Sequence, residues 1–286
     1  MGEEIPPSHF MKMITAQDIL DRIEDVPRKR EKDRAYLGAS MIGMECDFYL
    51  QMGLRGYPQE PFPTNVLRIF DLGYHLEDVV VKVLKDAGFT VLEHDDFTRR
   101  QFEWHAFGGH VKSHGDGLID LHGNETMSLL EVKSMNKTRF NAFKKHGVEH
   151  SDPKYFQQIQ MMMGLGKIKD CLFISYCKDN SQIHCEIVDF DEFAWAYVAD
   201  KIDRVLEGSN LRASDKPDRF ICKWCNRRTF CWNEEDDPIR ERIAHECRTC
   251  KHAWPLEDGG WKCNLHNKTC VDPCDDHAVL EATPGD

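Results

Sequence analysis

Apolar residues recur at helical spacing along residues 66–87, where Ile69, Leu72, Leu76, Val80 and Val83 follow one another at intervals of 3, 4, 4 and 3. The pattern predicts a long helix closed by Gly88. Its apolar arc takes in Gly73, Val80 and Leu84, with Glu77 at the edge on Gly73's side and Asp78 turned to solvent. Upstream, Thr15 and Asp18 stand in capping-box spacing and predict a charged helix over 15–32. Ser40 is placed to cap a second helix running through Cys46 to about Leu54, before a loop marked by Pro58, Pro61 and Pro63. Residues 89–93 and 101–107 read as short strands, and 114–121 with 127–133 as a hairpin around His122-Gly123-Asn124. Asp152 caps and Pro153 opens a helix reaching about Leu165. Residues 171–177 and 183–188 predict two more strands, and 191–207 a last helix. This order of elements predicts an α/β core with a mixed sheet. The acidic run 233–238, ending in Pro238, marks the start of a C-terminal tail, so the expected units are 1–35, 36–232 and 238–286.

A chain of 286 residues, 41% hydrophobic and 30% charged, can bury a sizeable core. No stretch nears the ~18 apolar residues of a membrane-spanning helix. The opening MGEEIPPSHF lacks the basic and apolar regions of a secretory signal, and Pro6 spoils the myristoylation pattern begun by Gly2. A cytoplasmic location is expected. The formal net charge of −12 argues against a polyanion binder held by global charge. The tail from residue 233 carries 13 acidic against 6 basic side chains, so a local basic surface on the main domain is compatible with the total.

Three spacings carry chemistry. Glu131 and Lys133, separated by Val132, project from one face of a strand, while Leu130 and Val132 point to the other. Asp116 lies on the preceding strand between Gly115 and Gly117, which are expected to leave room for a ligand. The hairpin brings Asp116 beside Glu131. Paired carboxylates at a strand end hold Mg²⁺ or Mn²⁺ through hard oxygens, and a lysine there positions or deprotonates a water or meets the developing anion. Glu77 is placed to reach inward from the long helix, whereas His75 sits at the opposite margin of its arc. On the helix opened by Pro153, Gln158 lies one turn from Tyr155 and Met162, with Gln157 and Gln160 as alternatives for bonding a water or phosphate.

In this order, Gly73…Glu77, Gly115-Asp116-Gly117, Glu131-Val132-Lys133 and Tyr155…Gln158 resemble the PD-(D/E)xK nuclease superfamily, in particular RecB-type and CRISPR-adaptation-type exonucleases of a phage-like kind. The resemblance covers roughly residues 36–232. It implies a restriction-endonuclease-like mixed sheet flanked by helices. It implies DNA as the substrate, with Glu77, Asp116 and Glu131 holding Mg²⁺ or Mn²⁺, Lys133 assisting the water and Gln158 supporting the site. His75 is a further candidate metal ligand. Met162 stands where the family's glutamine motif usually has tyrosine. The activity so implied is a metal-dependent DNA exonuclease of phage-type recombination or DNA processing, in the host cytoplasm if phage-encoded. An endonuclease of the same superfamily and a non-catalytic DNA- or protein-binding subunit are the alternatives.

Twelve cysteines in a chain with no export signal point to metal rather than disulfides. Cys222, Cys225 and Cys231 offer three soft ligands in ten residues, and Cys46 is the obvious fourth. One distant cysteine with a C-x2-C-x5-C run resembles the iron–sulfur staple of RecB-type nucleases and implies a [4Fe–4S] cluster, with four-cysteine zinc as the runner-up. Trp224 and Phe230 are expected to pack around it. The bolder reading has them contact DNA together with Arg219, Lys223, Arg227 and Arg228. In the tail, Cys247, Cys250, Cys263 and Cys274 are the expected zinc ligands, with Cys270 and His277 as alternates and His252 and His266 nearby. So small a unit needs a metal to fold, and its acidity favours a structural or protein-docking role. Cys171, Cys177 and Cys185 read as buried strand residues.

Overall fold

The computed structural model describes residues 14–25, 34–123 and 126–283. The chain divides into two compact units, Met1–Lys32 and Asp33–Asp286. In the first, α1 (Ala16–Glu24) carries the predicted capping box between Thr15 and Asp18 and closes at Asp25. The rest of the helix predicted to residue 32 lies outside the described residues.

The second unit opens with β1 (Leu37–Gly38), α2 (Ala39–Ile42) and α3 (Asp47–Leu54). Ser40 lies inside α2 and caps nothing; the predicted single helix is two. Gly43 closes α2 as its C-cap. Gly43 presses on the backbone of Lys154, where an added Cβ would meet its Cα at 2.5 Å. Cys46 is extended and becomes the N-cap of α3. Then come α4 (Thr64–Asp86), β2 (Val91–Leu92), β3 (Glu103–Ala106), β4 (Val111–His114), β5 (Gly117–Asp120) and β6 (Met127–Met135). Next are α5 (Lys137–Ser151), α6 (Pro153–Gly166), β7 (Asp170–Cys177), β8 (Ile183–Asp189) and α7 (Glu192–Leu206). Two single-turn helices, α8 (Phe220–Lys223) and α9 (Arg228–Cys231), lead to a tail with β9 (Ala253–Pro255), β10 (Trp261–Cys263) and β11 (Lys268–Thr269).

The central sheet has the order β2-β5-β6-β7-β8 and is mixed, since β6 and β7 are parallel and the other pairs antiparallel. A smaller sheet, β1-β4-β3, stands apart from it. The strand predicted over 114–121 is therefore divided between two sheets, with Gly115 and Asp116 in the gap. Those glycines serve the chain's own packing. A Cβ at Gly115 would meet Leu129 at 2.8 Å, and one at Gly117 the carbonyl of Leu92 at 2.9 Å. The room expected for a ligand is filled by protein.

One face of the central sheet is covered by α4. Val80, Val81 and Leu84 pack there on Ile119, Leu130, Val132, Leu172 and Ile174. The other face carries the larger core, where Leu129, Met135 and Phe173 meet Phe140, Phe143, Ile159 and Val198 from α5, α6 and α7. Of the apolar stripe predicted for α4, only Val80 is deeply buried; Ile69, Leu72 and Val83 are exposed. The helix is apolar over more than the arc that the sheet can cover. Cys171 and Cys177 are buried as expected, but Cys185 is exposed because β8 is an edge strand.

The tail belongs to the same compact unit as the sheet. Arg55, at the end of α3, is buried and donates to the carbonyls of Arg248, Cys250 and Ala253 at 3.1, 2.8 and 2.8 Å. Burial lowers its guanidinium to about 10. The Tyr57 hydroxyl donates to Thr249 O at 2.6 Å and accepts from Leu280 N at 2.8 Å.

Candidate active site

The site gathers where the β5–β6 pairing stops. The last paired residues are Gly117 and Leu130. One step beyond, Asp116 Oδ2 accepts the Val132 N–H at 2.8 Å, so a side chain takes over the ladder. This fixes the Asp116 carboxylate beside Glu131. Glu131 is 1% exposed, and its Oε1 accepts from both Lys133 Nζ and Gln158 Nε2, the latter at 2.8 Å. Its Oε2 is buried with no hydrogen-bond partner among the described residues. Lys133 also lies over the Tyr155 ring, 5.5 Å from its centroid.

Of the three candidate glutamines, Gln158 alone bonds the site. Gln157 joins Lys201 and Glu45, and Gln160 links Asp189 O to Asp191 N. The Asp152 cap and Pro153 set the start of α6 and hence this register. Met162 is fully buried, so it offers nothing to a phosphate.

Electrostatics ties in the helix on the opposite face. Burial pushes the Glu77 carboxyl up to about 7, and the charge of Asp116 adds to the rise. Burial pushes Glu131 up to about 8, with Asp116 and Glu77 contributing and Lys133 opposing. For Lys133, burial pulls downward, but the charges of Glu131 and Asp116 outweigh it and the net shift is upward. An ammonium so held is placed to stabilise an anion. His75 is exposed on α4, outside this set of mutually charged neighbours.

Glu131 thus pairs with the Lys133 ammonium, the charges of Asp116 and Glu77 act on the same site, and one Glu131 oxygen is buried without a hydrogen-bond partner among the described residues. These facts fit a divalent cation. Glu77, Asp116 and Glu131 would hold it through oxygen, the donor type that Mg²⁺ and Mn²⁺ favour.

Two further donor sets lie elsewhere. Cys46, Cys222, Cys225 and Cys231 line one pocket with Tyr49, Met52, Arg212, Arg228 and Trp232. Burial pushes Cys225 up to about 11 and Cys231 to about 12, and in both the Cys46 thiol adds to the rise. Arg212 opposes it at Cys231 and stacks on Trp232 at 4.1 Å. Four thiols beside Arg212 and Arg228 fit a metal group, whose positive charge would hold them as thiolates. Phe230 is buried against Phe48 and Tyr57, but Trp224 does not pack around this pocket: it is 74% exposed, beside exposed Phe220, Arg219 and Lys223. Arg227 is buried and donates to the Tyr49 and Tyr57 carbonyls, which removes it from any outer surface.

In the tail, Cys247, Cys250, Cys263, Cys270, Cys274, His266 and His277 line a second pocket. Burial pushes Cys270 up to about 12, with the thiols of Cys247, Cys263 and Cys250 adding to it. The alternate ligand Cys270 therefore neighbours the three expected cysteines. Cys274 instead faces His266, 3.5 Å away. His277 bonds Thr249 Oγ1 at 3.0 Å and stacks near His245. Sequence reasoning did not single out Arg55, Arg212 or Asp276. Arg55 has no local signal, since its partners lie some 195 residues away. Asp276 was hidden among the tail's many carboxylates.

No family profile matches the chain. No curated protein matches it in sequence. Among solved structures, the alkaline exonuclease LHK-Exo of Laribacter hongkongensis is similar at 19% identity over 61% of this chain and 88% of its own, with a TM-score of 0.46. LHK-Exo in complex with dAMP gives 21% identity over 60% and 87%, with a TM-score of 0.46. SSO0001 is similar at 14% identity over 75% and 95%, with a TM-score of 0.42.

Proposed function

We propose that the chain is a PD-(D/E)xK-type deoxyribonuclease that hydrolyses phosphodiester bonds with Mg²⁺ or Mn²⁺ and acts from DNA ends. The carrying observation is Asp116 bonded to the β6 backbone beside the Glu131–Lys133 pair where β5 leaves β6, with Glu131 Oε2 buried and unpartnered among the described residues and Glu77 within range of the Asp116 charge. A bound divalent cation lowers the pKa of a coordinated water and offsets charge on the phosphate. Lys133, kept protonated by Glu131 and Asp116, pairs with the negative charge that develops on the phosphate oxygens. Gln158 and Lys133 share Glu131 Oε1 and so leave Oε2 for the cation. Asp116, tied by one oxygen to Val132 N, presents the carboxylate in a fixed orientation.

The preference for ends, and for phage-type recombination or DNA processing in a host cytoplasm, rests on the motif resemblance. So does the assignment of a [4Fe–4S] cluster to Cys46, Cys222, Cys225 and Cys231. The convergence of those four thiols on one pocket supports that ligand set. The exposed pair Phe220 and Trp224, with Arg219 and Lys223, supplies rings and cations of the kind that hold single strands.

Digestion of end-labelled linear DNA beside closed circular DNA, with Mn²⁺ or Mg²⁺, tests the reading. Loss of the linear form alone is expected. Nicking of the circle would turn the assignment to an endonuclease. Cleavage of neither, with Mn²⁺ binding absent as well, would leave the non-catalytic alternative.

A further inference from the structure

The tail's donors divide into two groups. Cys247 and Cys250 lie at the turn before β9, Cys263 ends β10 beside the hairpin turn and Cys270 follows β11, and the four share one pocket with Cys274 and His266. At the tip of that hairpin stands His266. Its Nε2 is 3.5 Å from Cys274 Sγ and 3.1 Å from Asp276 Oδ2. Among the described residues, these three are the one set of three His, Cys, Asp or Glu donors whose ligand atoms all lie within 4.8 Å of one another.

An imidazole nitrogen carries either one proton or one lone pair, so two partners share it only through a bent three-centre bond. Here a thiol and a carboxylate converge on the same nitrogen. A cation between them satisfies all three. Tetrahedral zinc, with bonds of about 2.3 Å to sulfur and about 2.0–2.2 Å to nitrogen and oxygen, sets S···N near about 3.6 Å and N···O near about 3.4 Å. The two separations in the protein match these to within a few tenths of an ångström.

We infer that the tail holds two zinc ions: a closed one on Cys247, Cys250, Cys263 and Cys270, and an open one on His266, Cys274 and Asp276. The second has three protein ligands. His266 and Asp276 are 34% and 61% exposed in their side chains, so the fourth position faces solvent. Zinc sites with four protein ligands are structural; those with three keep a place for water or an incoming ligand. The open site is therefore an exchangeable position for a water or an anionic group. This inference does not depend on the nuclease assignment, because none of its residues touches the carboxylate site.

The test is metal content and cobalt spectroscopy on the full-length protein. Asp276→Asn changes an exposed residue and His266→Ala a half-exposed one, so both are expected to fold. Each should lower bound zinc by one equivalent and leave the intense sulfur charge-transfer bands of the Co²⁺-loaded four-thiolate site in place. Cys270→Ser should remove those bands. A dilute chelator should withdraw one zinc quickly and the other slowly. The inference is overturned if the Asp276→Asn, His266→Ala double variant keeps the wild-type zinc content. It is equally overturned if Cys274→Ser, rather than Cys270→Ser, abolishes the four-thiolate bands, since Cys274 would then belong to the closed site.

Discussion

The sheet-end carboxylates and the tail cysteines place metal donors by opposite means. Glu131 sits in the middle of a nine-residue strand, in register with Phe173 of β7, whose ring stacks on Phe143. That scaffold needs no cation to exist. The tail has strands of three, three and two residues and few buried apolar side chains of its own, such as Ala253. There the proposed zinc ligands would hold the backbone. In the first region the fold fixes the donors; in the second the donors, once metal-bound, would fix the fold. Substitution at a donor should therefore cost function in one place and structure in the other.

The largest effect is expected at the tail. Cys270→Ser would remove a ligand from the proposed closed zinc site, whose binding free energy, on the order of 10 kcal/mol, would also be folding free energy. Amide exchange should show the tail opened while β6 and β7 stay protected. A tail that remained protected would mean that its contacts with Arg55 suffice without the metal.

Next, Glu131→Gln should cut metal-dependent DNA cleavage by roughly a hundredfold or more. Its thermal stability at pH 8.5 without divalent metal should change little, because relief from burying a carboxylate is offset by loss of the ion pair with Lys133. A destabilised variant would place Glu131 among the structural supports and erase the contrast.

Arg55→Met tests the joint between the regions. Three carbonyls lose a buried donor, a cost of about 3 kcal/mol or more. The expected outcome is a tail that is cut by protease at its junction yet retains zinc, with Mn²⁺ binding at the sheet little changed. Loss of Mn²⁺ binding would show that the two regions are one cooperative unit.

The pH dependence is a smaller effect. An unfolded glutamate releases its proton near 4.5, whereas Glu77 and Glu131 hold theirs to about 7 and about 8 in the folded chain. Between those values the folded state binds more protons, so metal-free stability falls as pH rises through the window, and the loss is complete above about 8. Divalent cations compete with the same protons. The rise in Tm caused by Mn²⁺ should therefore be larger at pH 8.5 than at pH 6. A shift independent of pH would mean that these carboxylates are not the ligands.

Much of this was legible in the sequence because the signals were local. The Thr15–Asp18 box, the Asp152–Pro153 helix start, and the strands around 171–177 and 183–188 follow from a few neighbouring residues and recur in the structure. The pairing of Asp116 with the Glu131 strand followed from the turn between them. Three features were not legible. The apolar stripe of α4 is real, but which part is covered depends on the width of the sheet beneath it. Helix α5 was missed, since Asn136 caps a run whose hydrophobic positions, Phe140, Phe143 and Val148, are sparse and which is interrupted by Gly147 at positive φ. The preference for Cys274 over Cys270 among the zinc ligands had no local basis, because spacing alone treats both as equivalent. Only the hairpin of β10 and β11 sets one thiol toward the other cysteines and the other toward His266.

The docking of α3 has a consequence in time. Cys46, Arg55 and Tyr57 all lie on or beside this helix, and their partners come 165, 195 and 223 residues later in the chain. At a synthesis rate of about 5–20 residues per second, Arg55 waits roughly 10–40 s for the carbonyl of Cys250 to emerge. Throughout that interval a guanidinium destined for the interior must remain in water, so the surface it will join cannot close. The nascent chain is therefore exposed for longest at one of its earliest helices, and its last step is to bring the tail back to it.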